Sequence, residues 1–122
     1  MPGASYAFES VSYEEDYIKR LFKKLGDVLA RALGLAKSGN HDESLQVLEQ
    51  GVSAELGLPL SMLLKLDAKS AVALLGQAKA GAFAEALRTR SLLLELAGRS
   101  EAARASATHA GLVAALLTTD GI

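Results

Sequence analysis

Two histidines supply most of the reactive chemistry within reach of this sequence. His41 stands beside Asp42 and Glu43 in the stretch AKSGNHDESL (residues 36–45), and His109 stands alone near the end. An imidazole next to carboxylates suggests a metal site or a proton-transfer pair, but the spacing opposes both. On a helix, residues three or four apart share a face, whereas consecutive residues diverge. His41, Asp42 and Glu43 therefore do not close on one ion. His109 has no carboxylate within a turn, the nearest downstream being Asp120, and a zinc site wants three or four convergent ligands. The alternative reading is a turn residue followed by carboxylates in the first turn of a helix, where the helix dipole favours negative charge.

The remaining chemistry is thin. Serines are numerous, but no Gly-x-Ser-x-Gly elbow presents one, and neither a phosphate-binding Gly-x-x-x-x-Gly-Lys-Ser/Thr loop nor a Gly-x-Gly-x-x-Gly turn occurs. Cysteine is absent, which removes disulfides, thiolate ligands and cysteine nucleophiles. The expectation is a protein that is not an enzyme, with no catalytic, metal or cofactor-binding residues and no cofactor.

Which elements would position these side chains? The chain has 122 residues, half of them hydrophobic but only 3 Tyr and 3 Phe, with Ala and Leu making up more than a third. That is helix-forming material and enough for one domain. The period is helical throughout. Ile18, Leu21, Phe22, Leu25, Val28, Leu29, Ala32, Leu33 and Ala36 repeat with the spacing of one helix face. Gly39 stops this helix, and Asn40 or Asp42 caps a second running to about Leu56 through Leu45, Leu48 and Val52. Gly57 and Pro59 break the rhythm around a short helix, in an irregular connection over residues 57–67. Asp67 caps a fourth helix reaching about Lys79, closed by Gly81. A fifth runs from Ala82 to Ala97 and ends at Gly98. The last runs to about Leu117 with Ala103, Ala107, Ala110, Val113, Ala114 and Leu117 inward. No useful stretch alternates with a period of two. The fold class is thus all-α, about five helices plus one short one. Residues 14–118 form the domain and 119–122 a tail. Residues 1–13 read as an arm that is either disordered or docks through Tyr6, Phe8 and Tyr13.

The decapeptide with His41 returns 42 residues later as AKAGAFAEAL (residues 78–87). Both copies place a glycine before a small residue five positions on, Ser44 and Ala86. Gly98 repeats the arrangement with Ala103. GNHDESL and GAFAEAL resemble the turn of a tetratricopeptide hairpin, which reads glycine, an aromatic two later, an acid, then Ala-Leu. The resemblance makes Gly39, His41, Gly81, Phe83 and Gly98 the structural turn residues, with His41 in the place of Phe83. It implies antiparallel hairpins stacked in a right-handed array, with a concave face that receives peptides or helices. Two departures stand against it: the turns are spaced by 42 and then 17 residues, and the expected Trp and Tyr positions are missing. From about Asp16 the chain is also similar to a family of small bacterial all-helical proteins of uncharacterised function, which implies a fold and no activity.

Partners follow from charge. The formal net charge is −1, so no global field draws the chain to nucleic acid or anionic membrane. No apolar run approaches the roughly 20 residues of a membrane span, and the N-terminus has no secretory pattern; the expected location is the cytoplasm, bacterial if the resemblance holds. Lys23, Lys24, Arg31 and Arg90 are the candidates to line a concave face and suit an acidic protein or peptide. Met62, in the apolar stretch LPLSMLLKL, is an adaptable interface residue. The alternatives are a homodimer using the apolar surface, or a nucleic-acid accessory protein using Lys19, Arg20, Lys23 and Lys24. Against the last, Glu15 to Lys19 and Asp16 to Arg20 have the spacing of neutralising i, i+4 pairs, and no aromatics interleave the cations to stack bases. The expected role is a non-catalytic interaction or scaffold module.

Overall fold

A computed structural model describes the backbone of residues 2–120 and the side chains of residues 14–117. Six helices make up the described chain: α1 (Pro2–Lys37), α2 (His41–Leu56), α3 (Leu60–Leu63), α4 (Ala68–Leu75), α5 (Gln77–Leu96) and α6 (Ser100–Asp120). Among the described residues there is no strand, and the fold class is all-α as the periodicity requires. Helix α1 begins at Pro2, so the backbone of the stretch read as an arm continues the first helix. The side chains of Tyr6, Phe8 and Tyr13 lie outside the described residues.

The local chemistry explains most boundaries. Gly39, at φ 88°, closes α1 with two hydrogen bonds: its own N–H donates to the Ala36 carbonyl (3.0 Å), and the Asn40 N–H donates to Leu35 (2.9 Å). Gly98 repeats this at the end of α5, with Glu95 and Leu94 as acceptors. This pair of bonds satisfies carbonyls that a helix end leaves bare, and it needs a residue tolerant of positive φ. Asp67 accepts from the Ser70 N–H at 2.7 Å, capping α4 as expected. Asn40 holds the capping position of α2 without a side-chain bond. Pro59 precedes α3, and the Leu60 N–H donates to the Ser53 hydroxyl at 2.8 Å, tying the irregular connection back to α2.

One expected boundary is wrong. The fourth helix ends at Leu75, not near Lys79, and the break is Gly76, at φ 80°. Gly81 lies inside α5 and is not a turn residue. Phe83 is likewise no turn residue but a fully buried side chain of the same helix. The decapeptide therefore bends in its first copy and stays helical in its second. Its first copy surrounds the glycine with Ser38, Asn40 and Asp42, which favour caps and turns. The second surrounds it with Ala80, Ala82 and Ala84, the best helix formers.

The helices pair as two antiparallel hairpins, α1 with α2 and α5 with α6, joined because α5 packs on both α1 and α2. Helix α4 lies on α5 and α6, and α3 on α2. Ala80, Ala82, Phe83, Ala84, Ala86 and Leu87 are all buried, so α5 is covered on nearly every side over this stretch, as a central helix should be. Leu21, Leu25, Leu48, Val52, Leu63 and Val113 fill the space around it. Three inward assignments fail. Ala107 is exposed while Ser106 is buried between Ala103 and Ala110, which are buried as expected. Ile18 and Phe22 remain 39% and 38% exposed.

Candidate interaction surface

Lys23, Lys24 and Arg31 stand exposed on the outer face of α1, together with Lys19 and Arg20. None of them is in an ion pair: among the described residues the single salt bridge is Arg88 with Glu85, at 2.6 Å on α5. The Glu15–Lys19 and Asp16–Arg20 pairs suggested by spacing are not formed. Lys24, Arg20 and Tyr17 border a shallow depression that Glu55 of α2 closes from the other side.

Arg90 is placed differently from the other three. It is half-buried on α5, between Glu49 of α2 and Arg99 at the entry to α6. Burial, then the like charge of Arg99, lowers its pKa, while Glu49 pulls it upward. Its guanidinium stays charged at any physiological pH. The structure therefore brings Lys23 and Lys24 together, with Arg31 further along the same helix, and sets Arg90 apart, half-buried on α5 with Glu49 and Arg99 as its charged neighbours. Met62 is exposed on α3, away from these helices.

The sequence reading did not find the exposed leucines. Leu92 is 55% and Leu96 48% exposed on α5. They continue a line that starts at Gly81 and passes Glu85 and Arg88, positions that share one face of a helix. The signal was present in RSLLLEL, where four leucines in five positions exceed what one buried face can take. Phe22 of α1 reaches the start of this line, since a Cβ on Gly81 would lie 3.7 Å from its Cζ. At this end α5 packs against α1.

The histidines are apart. His41 opens α2, with Asp42 and Glu43 exposed beside it, and its Nδ1 is buried with no hydrogen-bond partner. His109, on α6, sets its ring edge against Phe83, with centroids 5.6 Å apart and planes at 87°. Burial lowers its pKa, partly offset by Asp67. No group of three or more His, Asp or Glu among the described residues is arranged to hold a metal ion.

No protein-family model matches the chain, no curated protein is significantly similar to it, and no solved structure matches its fold. No described helix is long and apolar enough to cross a membrane.

Proposed function

We propose that the chain is a non-catalytic protein-interaction or scaffold module of a bacterial cytoplasm. Its two hairpins stack in a tetratricopeptide-like manner, and the outer faces of α1 and α5 receive a protein or peptide partner. The supporting observations are the pair Leu92 and Leu96, left exposed on α5, and the exposed cations of α1, none of which is in an ion pair. Soluble proteins leave apolar side chains in such groups mainly where something docks, and the basic charge of α1 favours an acidic occupant. Affinity capture with the wild-type chain and a Leu92→Asp/Leu96→Asp variant, followed by titration of the purified partner, tests this. Binding that is lost in the variant and weakens with salt supports the surface; binding indifferent to the two substitutions removes it.

The nucleic-acid reading gains from the same unpaired Lys19, Arg20, Lys23 and Lys24. Backbone-phosphate contacts weaken steeply with salt, so the chain and mixed-sequence RNA or DNA at low salt decide this reading. No mobility shift under those conditions ends it.

A further inference from the structure

Among the helices that pack on α5, α4 holds on by the least. It has 8 residues and buries one side chain completely, Ala71, whereas Leu74 is 53% exposed. So short a helix has no stability of its own, and an element with few buried contacts is the first to open locally. Its ends permit that motion. Gly76, at φ 80°, makes the joint to α5, and the irregular connection leads in on the other side.

The start of α4 shares a groove with α6, lined by Leu64, Leu66 and Ala68 on one side and by Thr108, His109 and Leu112 on the other. His109 is the polar ring in this seam. Its edge lies against Phe83 of α5, and its Nε2 is closed off from solvent with no hydrogen-bond partner. A neutral imidazole tolerates this, because its single proton can sit on Nδ1 and leave Nε2 an unpaired acceptor. A protonated ring does not. Both nitrogens then carry a proton, and the one on Nε2 is a buried donor with nothing to accept it, which is costly.

The surroundings offset this cost only in part. Among the described residues the charged group that acts on the ring is Asp67, at the N-terminus of α4, and burial outweighs it. The Asp67 carboxylate already accepts from the Ser70 N–H at 2.7 Å, with Lys69 close by. Phe83 from α5, Ala68 from α4, Leu64 and Leu66 from the connection, and Thr108 and Leu112 from α6 carry no charge.

We propose that α4 is an acid-released lid: proton uptake by His109 shifts α4 off the α5–α6 seam, pivoting at Gly76, while the two hairpins stay folded. Release brings the ring to water and bares Val72 and Leu75, which pack on the core in the closed form. Closure is at full strength above the ordinary imidazole value of 6.5 and weakens as pH falls through it.

Native-state hydrogen exchange of the full chain from about pH 7.5 to about pH 5, corrected for the intrinsic pH dependence of exchange, reads the lid directly. The Ala71 and Gly76 amides, bonded to the Asp67 and Val72 carbonyls, report on α4, and the Ala86 and Leu87 amides report on α5. The α4 amides are expected to be less protected than those of α5 at every pH, and to lose protection several-fold further toward the acid end. In His109→Gln that further loss should vanish. Asp67→Asn keeps a capping side chain but removes the charge that favours the proton in the closed form, so it should deepen the loss. Protection of α4 that is flat with pH in the wild type overturns the proposal, as do α4 amides protected as well as those of α5, which would open only by global unfolding. A loss that persists in His109→Gln, or one that is not deepened in Asp67→Asn, overturns it as well.

Discussion

The Ser44 hydroxyl on α2 donates a 2.7 Å hydrogen bond to the Ala32 carbonyl on α1, and both residues are fully buried. That carbonyl already serves a helical bond, so the serine adds a second donor across the hairpin at the cost of little space. The second hairpin does the same in the same sense: Ser106 of α6 donates to the Leu87 carbonyl of α5 at 2.7 Å. Ser91 adds a third such bond, to Ala103, at 2.8 Å. Replacing Ser44 by Ala is expected to cost about 1 kcal/mol, the net worth of one such bond. Replacing it by Leu should cost more, because overpacking drives the helices apart. Urea denaturation of the two variants checks both the sign and the order.

Gly51 of α2 packs directly against Val28 of α1. A Cβ there would run into both γ-carbons of Val28, lying 2.8 Å from Cγ2 and nearer still to Cγ1. Alanine is the better helix former by about 1 kcal/mol, yet Gly51→Ala is expected to destabilise by about 1–3 kcal/mol, since packing outweighs propensity here. Combining it with Val28→Ala should recover part of the loss, a coupling that a double-mutant cycle measures directly.

Two glycines that look alike in sequence should respond in opposite directions. Gly39 has φ 88°, so Gly39→Val forces a β-branched residue into a conformation it avoids and should lower stability by more than about 1 kcal/mol. Gly81 is helical, and its added Cβ would make only ordinary contacts, 3.7 Å to Phe22 and 3.9 Å to Leu117. Gly81→Ala should therefore raise stability by roughly 0.5–1 kcal/mol. Thermal melts of the pair separate the turn from the helix interior.

His109 should make stability depend on pH. Burial against Phe83 lowers its pKa below the ordinary 6.5, with Asp67 opposing. The unfolded chain then binds a proton more readily than the folded one. Stability is full above the unfolded value and is lost as pH falls through 6.5 toward the lower folded value. The melting temperature is expected to drop over that range in the wild type, and to drop less in His109→Gln. A wild-type melting temperature that is flat between pH 7.5 and 5 would contradict this.

Turns whose chemistry is carried by the local residues were legible. Gly39 with Asn40, Gly98 before Ser100, and Asp67 three residues before Ser70 each state their conformation in the sequence, and each is found. Gly76 was not legible, because it sits between Leu75 and Gln77 with no capping side chain nearby. Its neighbour Gly81 attracted the turn through its match to Gly39, and only the flanking alanines argued otherwise. The outer surface was legible in charge but not in pairing. Glu15 and Lys19 have the spacing of a salt bridge, but exposed pairs of this kind are worth only a few tenths of a kilocalorie and carry no obligation to form. Whether Ile18 is covered depends on where α2 and α5 end relative to α1, a tertiary register that the period of α1 does not contain.

Gly76 joins α4 to α5 without a loop: its N–H donates to Val72 and its carbonyl accepts from Ala80. The joint has no spare chain. One extra residue there would turn α4 by about 100° and advance it about 1.5 Å, carrying the buried Ala71 off its seat on α5 and α6. At Gly76 the count of residues is itself part of the structure.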